Sequence, residues 1–177
     1  MNKTQRVIIT GGPGTGKSTL IDSFSNMGYP CHHEISRAVI KRELDKGSDL
    51  QPWKDLEGFS KVVFTEQIEQ YNLATKAVTN FYDRSLIDVI AYLRLDGINT
   101  QDWDVKAKQY TFFNKVFVTP PWPEIYATDN ERREDLAAMR EIHESLVKTY
   151  QSFGYEIIEV AKMSNPKRVK FILGELN

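Results

Sequence analysis

Arg6-Val7-Ile8-Ile9-Thr10-Gly11-Gly12-Pro13-Gly14-Thr15-Gly16-Lys17-Ser18-Thr19 is the stretch from which the architecture of this chain can be read. Residues 11–18 fit the phosphate-loop pattern GxxxxGK[ST] completely, and that pattern carries meaning only between a strand and a helix. Both flanks qualify. Residues 6–10 read as a short buried strand, and residues 18–27 read as a helix with Leu20, Ile21, Phe24 and Met27 on one apolar face. Glycines at 11, 14 and 16 let the backbone curl so that consecutive N–H groups converge on phosphate oxygens at the positive end of a helix dipole. Lys17 is expected to reach the β- and γ-phosphates as a flexible point charge, and the Ser18 hydroxyl to ligate Mg²⁺. Residues Gly11 to Thr19 are therefore the expected binding loop for a nucleoside triphosphate.

Composition narrows the remaining classes. A chain of 177 residues has room for one domain with a real core, so residues 1–177 are read as a single triphosphate-binding domain. Hydrophobic residues at 41% and charged residues at 27% are an ordinary globular balance. A net charge of −1 gives no reason to expect nucleic acid or an anionic membrane as partner. No apolar run reaches the length of a membrane span, and Met1 leads directly toward the first strand with no room for a signal peptide. The single cysteine, Cys31, excludes an internal disulfide. These features together point to the cytoplasm.

Along the chain, apolar strand-like runs alternate with helical patterns, which argues for a parallel sheet with helices on both faces. After the first helix, residues 29–33 read as a second strand and residues 34–46 as a helix ended by Gly47. A long polar helix is expected from about Asp55 to Thr79, followed by a third strand over residues 80–83. Leu86, Val89, Ile90 and Leu93 stripe the next helix, which Gly97 closes. Residues 115–118 make a fourth strand ended by Pro120-Pro121, and residues 155–160 a fifth. Between them a helix from about Glu131 carries Leu136, Met139, Ile142, Leu146 and Tyr150, and a last helix spans about 166–173. The expected fold is a three-layer α/β sandwich with a five-stranded parallel sheet in the order 2-3-1-4-5.

In open α/β sheets the ligand lies beyond the carboxyl ends of the strands. The second strand delivers Glu34 and, one helical turn on, Arg37; the third delivers Asp83 and Arg84; the fifth delivers Ala161-Lys162. Asp83 suits a contact to Mg²⁺ on the side opposite Ser18. Glu34 suits a hydroxyl acceptor, with Arg37 and Arg84 compensating phosphate charge, although either acid also suits a helix cap. In Asp129-Asn130-Glu131-Arg132-Arg133 the arginines sit at an expected helix start, against the dipole, which a segment closing over the triphosphate would explain; surface pairing with Glu134 or Asp135 is the plainer explanation. Asp55-Leu56-Glu57-Gly58 matches the GTPase DxxG pattern, but no strand precedes it and no NKxD follows. ATP is therefore expected over GTP, with GTP left open because Val160-Ala161-Lys162 is similar to the Ser-Ala-Lys element of GTPases.

The phosphate loop, Glu34-Ile35-Ser36-Arg37, Asp83, and the segment from Trp122 to Arg132 together resemble the nicotinamide-riboside-kinase type of domain, in a group of small ATPases and kinases labelled AAA-like. The resemblance spans nearly the whole chain. It implies a nucleoside-kinase-like core with Glu34 or Asp83 near the acceptor hydroxyl and Arg132 in a closing segment. Two departures stand out: Asp83-Arg84-Ser85 is closer to the signatures of thymidylate and deoxynucleoside kinases, and Asn130 replaces an expected Gly. Ring-forming AAA motors match poorly, because Asp83 lacks the adjacent glutamate that primes water. The expected activity is Mg²⁺-dependent transfer of the γ-phosphate of ATP to a small nucleoside- or nucleotide-like acceptor. The alternative is an NTPase or nucleotide-controlled switch with a protein partner.

Overall fold

Period-two alternation in the first strand places its side chains on two opposite cores. The structure, a computed structural model, describes residues 3–125 and 136–176. Strand β1 (Gln5–Gly11) points Val7 and Ile9 to one face of the sheet, where they pack with Leu20, Ile21 and Phe24 of helix α1 (Lys17–Asn26) and Val169 and Ile172 of α7 (Asn165–Glu175). Ile8 points to the other face and meets Ile87 and Ala91 of α4 (Leu86–Leu95) and Ile142, Leu146 and Tyr150 of α6 (Leu136–Ser152). A third cluster lies outside α4, where Val39 and Ile40 of α2 (Ile35–Asp45) and Phe59, Val63 and Phe64 of α3 (Leu56–Asn72) cover Val89, Ile90 and Leu93.

The sheet is parallel throughout and runs in the order β2-β3-β1-β4-β5, as expected. Its other strands are β2 (Cys31–His32), β3 (Thr79–Asp83), β4 (Lys115–Thr119) and β5 (Glu156–Glu159). Register aligns the strand ends: Ile9 pairs with Asp83, and Gly11 pairs with Thr119. Three chain segments therefore leave the sheet side by side, at the edge where the sequence puts its chemistry.

Two elements differ from expectation. The helix expected to reach Thr79 stops at Asn72, and Thr79 joins β3 opposite Gln5. The cause is Asn80, whose side chain accepts from the Thr75 N–H at 2.8 Å and donates to the Thr75 carbonyl at 2.9 Å, fixing a turn in which Ala77 takes a positive φ of 63°. A helix α5 (Gln101–Ala107) stands where none was expected. It is too short for periodicity to declare it, and tertiary contacts hold it: Trp103 edges onto Phe64, and Asp104 accepts from Arg94 Nη2 at 2.7 Å. Asp55 of the DxxG match is the N-cap of α3, its Oδ1 accepting from the Gly58 N–H at 2.8 Å. Asp129, Asn130, Glu131, Arg132 and Arg133 lie outside the described residues. No helix among the described residues is long and apolar enough to cross a membrane.

Gly11 has φ 143°, and a Cβ there would fall inside the contact radii of the Thr119 Oγ1 and carbonyl oxygen. Gly11→Ala is expected to cost about 2–4 kcal/mol of unfolding free energy. Denaturant titration measures it, and an unchanged midpoint would show that the β1–β4 approach is not constrained there.

Candidate active site at the strand ends

Backbone conformation builds the loop first. Gly14 and Gly16 take positive φ values of 69° and 83°, which wrap the chain from β1 into α1. Thr15 ties the wrap down: its Oγ1 donates to the Gly12 carbonyl at 2.9 Å and lies 2.6 Å from Thr119 Oγ1 on β4. Lys17 Nζ donates to the Gly12 carbonyl at 2.7 Å. Pro13 through Thr19 line a cavity of about 820 Å³, whereas Gly11 and Gly12 sit behind it as packing and hydrogen-bonding support.

Of the acids and bases expected at the strand ends, Glu34, Arg37 and Arg84 line that cavity, Asp83 meets it only through Ser18, and Lys162 lies apart, in a separate pocket with Pro120 and Arg140. Arg84 is buried with a positive φ of 74°, an uncommon backbone for a residue with a side chain, held by its amide donating to the Ile9 carbonyl at 3.0 Å. Its Nε donates to Glu34 Oε1 at 3.0 Å and its Nη1 to Asp88 Oδ1 at 3.5 Å. Glu34 occupies the N-cap position of α2 but makes no capping bond; its carboxylate instead takes Ser36 Oγ at 2.7 Å and Arg84, with Arg37 Nε at 4.0 Å. Asp83 does not cap α4 either. That task belongs to Ser85 and Asp88, which form a capping box. Asp83 Oδ2 accepts from Ser18 Oγ at 3.5 Å, and its Oδ1 is buried with no partner among the described residues.

Charge regulation follows from burial and neighbours. Burial, then the Arg84 charge, lowers Lys17 to about 8 against the pull of Asp83, Glu34 and Asp88. Burial pushes Asp83 up from 3.8 to about 6, with Lys17 and Arg84 opposing and Glu34 and Asp88 reinforcing the rise. Burial pushes Glu34 the same way, but Arg84, Lys17, the Ser36 hydrogen bond and Arg37 outweigh it and hold that carboxyl below its ordinary value. The two acids are thus driven apart, one kept ionised and one biased toward its neutral form.

A hard oxygen donor set fits a small divalent cation. Ser18 and Asp83 supply it, and the orphaned Asp83 Oδ1 is the atom a cation would satisfy. Among the described residues no group of three His, Cys, Asp or Glu side chains is placed to hold a metal, so such a cation would keep most of its coordination for water and phosphate.

Several participants carried no signal that was read in the sequence. Asp88 accepts from Thr10 Oγ1, from the Ser85 N–H and from the Tyr150 hydroxyl, and so joins β1, α4 and α6 under the site. The Ser85-x-x-Asp88 spacing of a capping box was its available clue. Away from the loop, the cavity runs between α2, α3 and α4, lined by Ile40, Phe59, Val63, Val89 and Tyr92, with the exposed Trp53 at its rim. Gln67 lines it too, its Oε1 buried without a partner among the described residues. Trp122 packs against Arg168 of α7.

Because the folded state holds the Asp83 proton up to about 6 and the unfolded chain releases it near 3.8, stability contributed by this group is greatest below the lower value and falls as pH rises through the upper one. Asp83→Asn should remove that fall, so that as pH rises from about 4 to 7 the ligand-free wild type loses stability relative to the variant. Parallel stability–pH curves would refute the assignment.

Comparisons with known proteins bear on the family and the fold. A family model described as an AAA domain matches residues 6–168. No curated protein matches the sequence. Among solved structures, NadR in complex with NR superposes with a TM-score of 0.72 at 18% identity, covering 98% of this chain and 50% of that one. Deoxyadenosine kinase from M. mycoides with bound dATP gives 0.62 at 20% identity, covering 98% and 99% of the two chains. Thymidylate kinase from Ehrlichia chaffeensis gives 0.66 at 12% identity, covering 99% and 100%. This chain thus spans half the length of the NadR chain and nearly all of each kinase, and identities so low show a shared kinase-like fold. Loop, strand order and matched length lead to one assignment: the chain belongs to the AAA domain family.

Proposed function

We propose that the protein is a Mg²⁺-dependent kinase that transfers the γ-phosphate of ATP to the hydroxyl of a small, uncharged, nucleoside-like acceptor. The observation that carries this reading is a carboxylate, Glu34, kept ionised by Arg84 inside the same cavity that the phosphate loop lines. The loop from Gly11 to Thr19 is the triphosphate site, with Lys17 on the β- and γ-phosphates. Ser18 and Asp83 would hold Mg²⁺, which when bound neutralises charge on the β- and γ-oxygens.

Glu34 accepts a hydrogen bond from the acceptor hydroxyl and aims its oxygen at the γ-phosphorus. That oxygen forms the new P–O bond while the bond to the β,γ-bridging oxygen breaks, and the nucleoside diphosphate leaves with the electron pair. The hydroxyl proton passes to Glu34 and then to solvent. A low pKa makes Glu34 a weak base, which a loose phosphoryl transition state tolerates, so orientation is its main service. Arg84 holds Glu34 in place, and Arg37 flanks the transferring group; Arg132, outside the described residues, is proposed to neutralise charge on it.

Charge balance selects a neutral acceptor. The cavity wall carries Lys17, Arg37 and Arg84 against Glu34, Asp88 and Asp96, and with Lys17 committed to the triphosphate the remainder is not cationic. An acceptor phosphate would face the Glu34 carboxylate, whereas a hydroxyl would be welcomed by it. The walls of Phe59, Val63, Val89 and Tyr92 suit a flat ring, and Gln67 Oε1 suits a ring N–H donor.

Diphosphate release from ATP and Mg²⁺, measured across nucleosides and their 5′-monophosphates, tests the reading. Strong stimulation by a nucleoside with a phosphorylated product is expected, and Lys17→Ala should leave less than about a hundredth of the rate. Gln67→Leu should raise the acceptor KM about tenfold and leave the ATP KM unchanged. Preference for monophosphates would overturn the neutral acceptor. Slow hydrolysis with no stimulation would point instead to an NTPase or a nucleotide-controlled switch.

A further inference from the structure

Arg168 is an expensive residue in its position. It stands in the first turns of α7, only 3% exposed, and no ion pair involves it among the described residues. Nη1 donates to the Thr15 carbonyl at 3.2 Å, and the guanidinium lies 5.5 Å over the Trp122 ring. Nε and Nη2 are buried with no acceptor among the described residues. Burying a guanidinium without an anion is unfavourable, so a function at this place is the natural explanation.

Peptide geometry supplies that function. The bond between Thr15 and Gly16 is trans, so the Thr15 C=O and the Gly16 N–H point in opposite directions within one plane. Fixing the carbonyl fixes the N–H. On the C-terminal side of that peptide Gly16 takes a left-handed φ that glycine enters freely, so the backbone there does little to fix the orientation of the peptide. The Thr15 side chain is anchored to Gly12 and Thr119, and its carbonyl is anchored by Arg168. A charged donor on the carbonyl also polarises the peptide and strengthens its N–H as a donor.

We propose that Arg168 is a positioning residue for the triphosphate: by drawing the Thr15 carbonyl back toward α7, it presents the Gly16 N–H to phosphate oxygens. Trp122 keeps the guanidinium in place from the side of β4. The proposal rests on phosphate binding by the loop, as argued above, and adds a residue in the last helix to that machinery. It concerns phosphate affinity and is independent of the acceptor.

The test is titration with fluorescent ribose-labelled ATP and ADP, together with the amide ¹H–¹⁵N resonance of Gly16. Arg168→Met should weaken both nucleotides about tenfold to a hundredfold, the span expected for a charge-assisted hydrogen bond. Arg168→Lys should stay within about threefold of wild type, because charge and one donor return. The Gly16 resonance should move in Arg168→Met, and less in Arg168→Lys, while resonances of the β1–β3 core hold still. Wild-type affinity in Arg168→Met with an unmoved Gly16 resonance would overturn the proposal, and so would lost thermal stability with nucleotide affinity intact. Should Arg168→Met not fold, Arg168→Gln takes its place with the same expectations, and wild-type affinity with an unmoved Gly16 resonance there refutes the proposal. Wild type that fails to bind labelled ATP, indistinguishable from Lys17→Ala, would instead sink the phosphate-loop reading and this inference with it.

Discussion

The buried ion pair between Arg84 and Glu34, seated on Asp88, is the interaction on which the site depends. Arg84 donates to carboxylates from two helices, and Asp88 in turn accepts from Thr10 at the end of β1 and from Tyr150 on α6. Strand, loop and three helices therefore meet in one connected set of charges and hydroxyls. Such a set is poor evidence for added stability, because desolvating the ions offsets most of their attraction. Its consequence is specificity of arrangement. Removing any one member strands another in a low-dielectric interior, so alternative packings of α2, α4 and α6 are penalised.

That arrangement also explains why two acids a short distance apart behave differently. Both Glu34 and Asp83 are buried, and burial alone would neutralise both. Arg84 reaches Glu34 through a direct hydrogen bond, whereas Asp83 has only the Ser18 hydroxyl and one orphaned oxygen. The guanidinium thus sorts the pair into a standing carboxylate and a carboxyl biased toward its neutral form. The sorting rests on the positive φ of Arg84, which turns the side chain under the site instead of along α4.

How much of this was legible in the sequence depended on the range of the interaction. The phosphate loop, the strand order and the placement of Glu34, Arg37, Asp83 and Arg84 at strand ends rest on local pattern plus one topological rule; the sheet has the expected order, and those four residues follow or end the strands expected to deliver them. Helix α5 and the end of α3 were missed because tertiary contacts and the Asn80 side chain, not local periodicity, set them. The Tyr150–Asp88 bond spans 62 residues and the Arg168–Thr15 bond 153, and nothing in the local pattern of Arg168 marks it as part of the loop. Gln67 reads as one more polar residue on a polar helix until the fold turns it into the cavity.

Lys17, Asp83 and Arg168 share one condition: burial biases each toward its neutral form, and none is fully compensated by neighbours. A protein selected for stability alone would replace such groups with apolar side chains of similar volume. Their concentration around one loop is instead what preorganised charge recognition requires, because fixed donors and acceptors in a dry site act on a ligand without first shedding water. The unfavourable energy sits in the free protein and is released on binding a ligand of complementary charge, which raises the differential between bound and free states. Under the proposed function a metal–triphosphate complex is such a ligand: its cation would match Asp83, and its oxygens Lys17 and the Gly16 N–H that we propose Arg168 positions. At the other end of the cavity the Glu34 carboxylate is already paired to Arg84, so under the proposed function phosphate and acceptor would be recognised at two ends of one cavity.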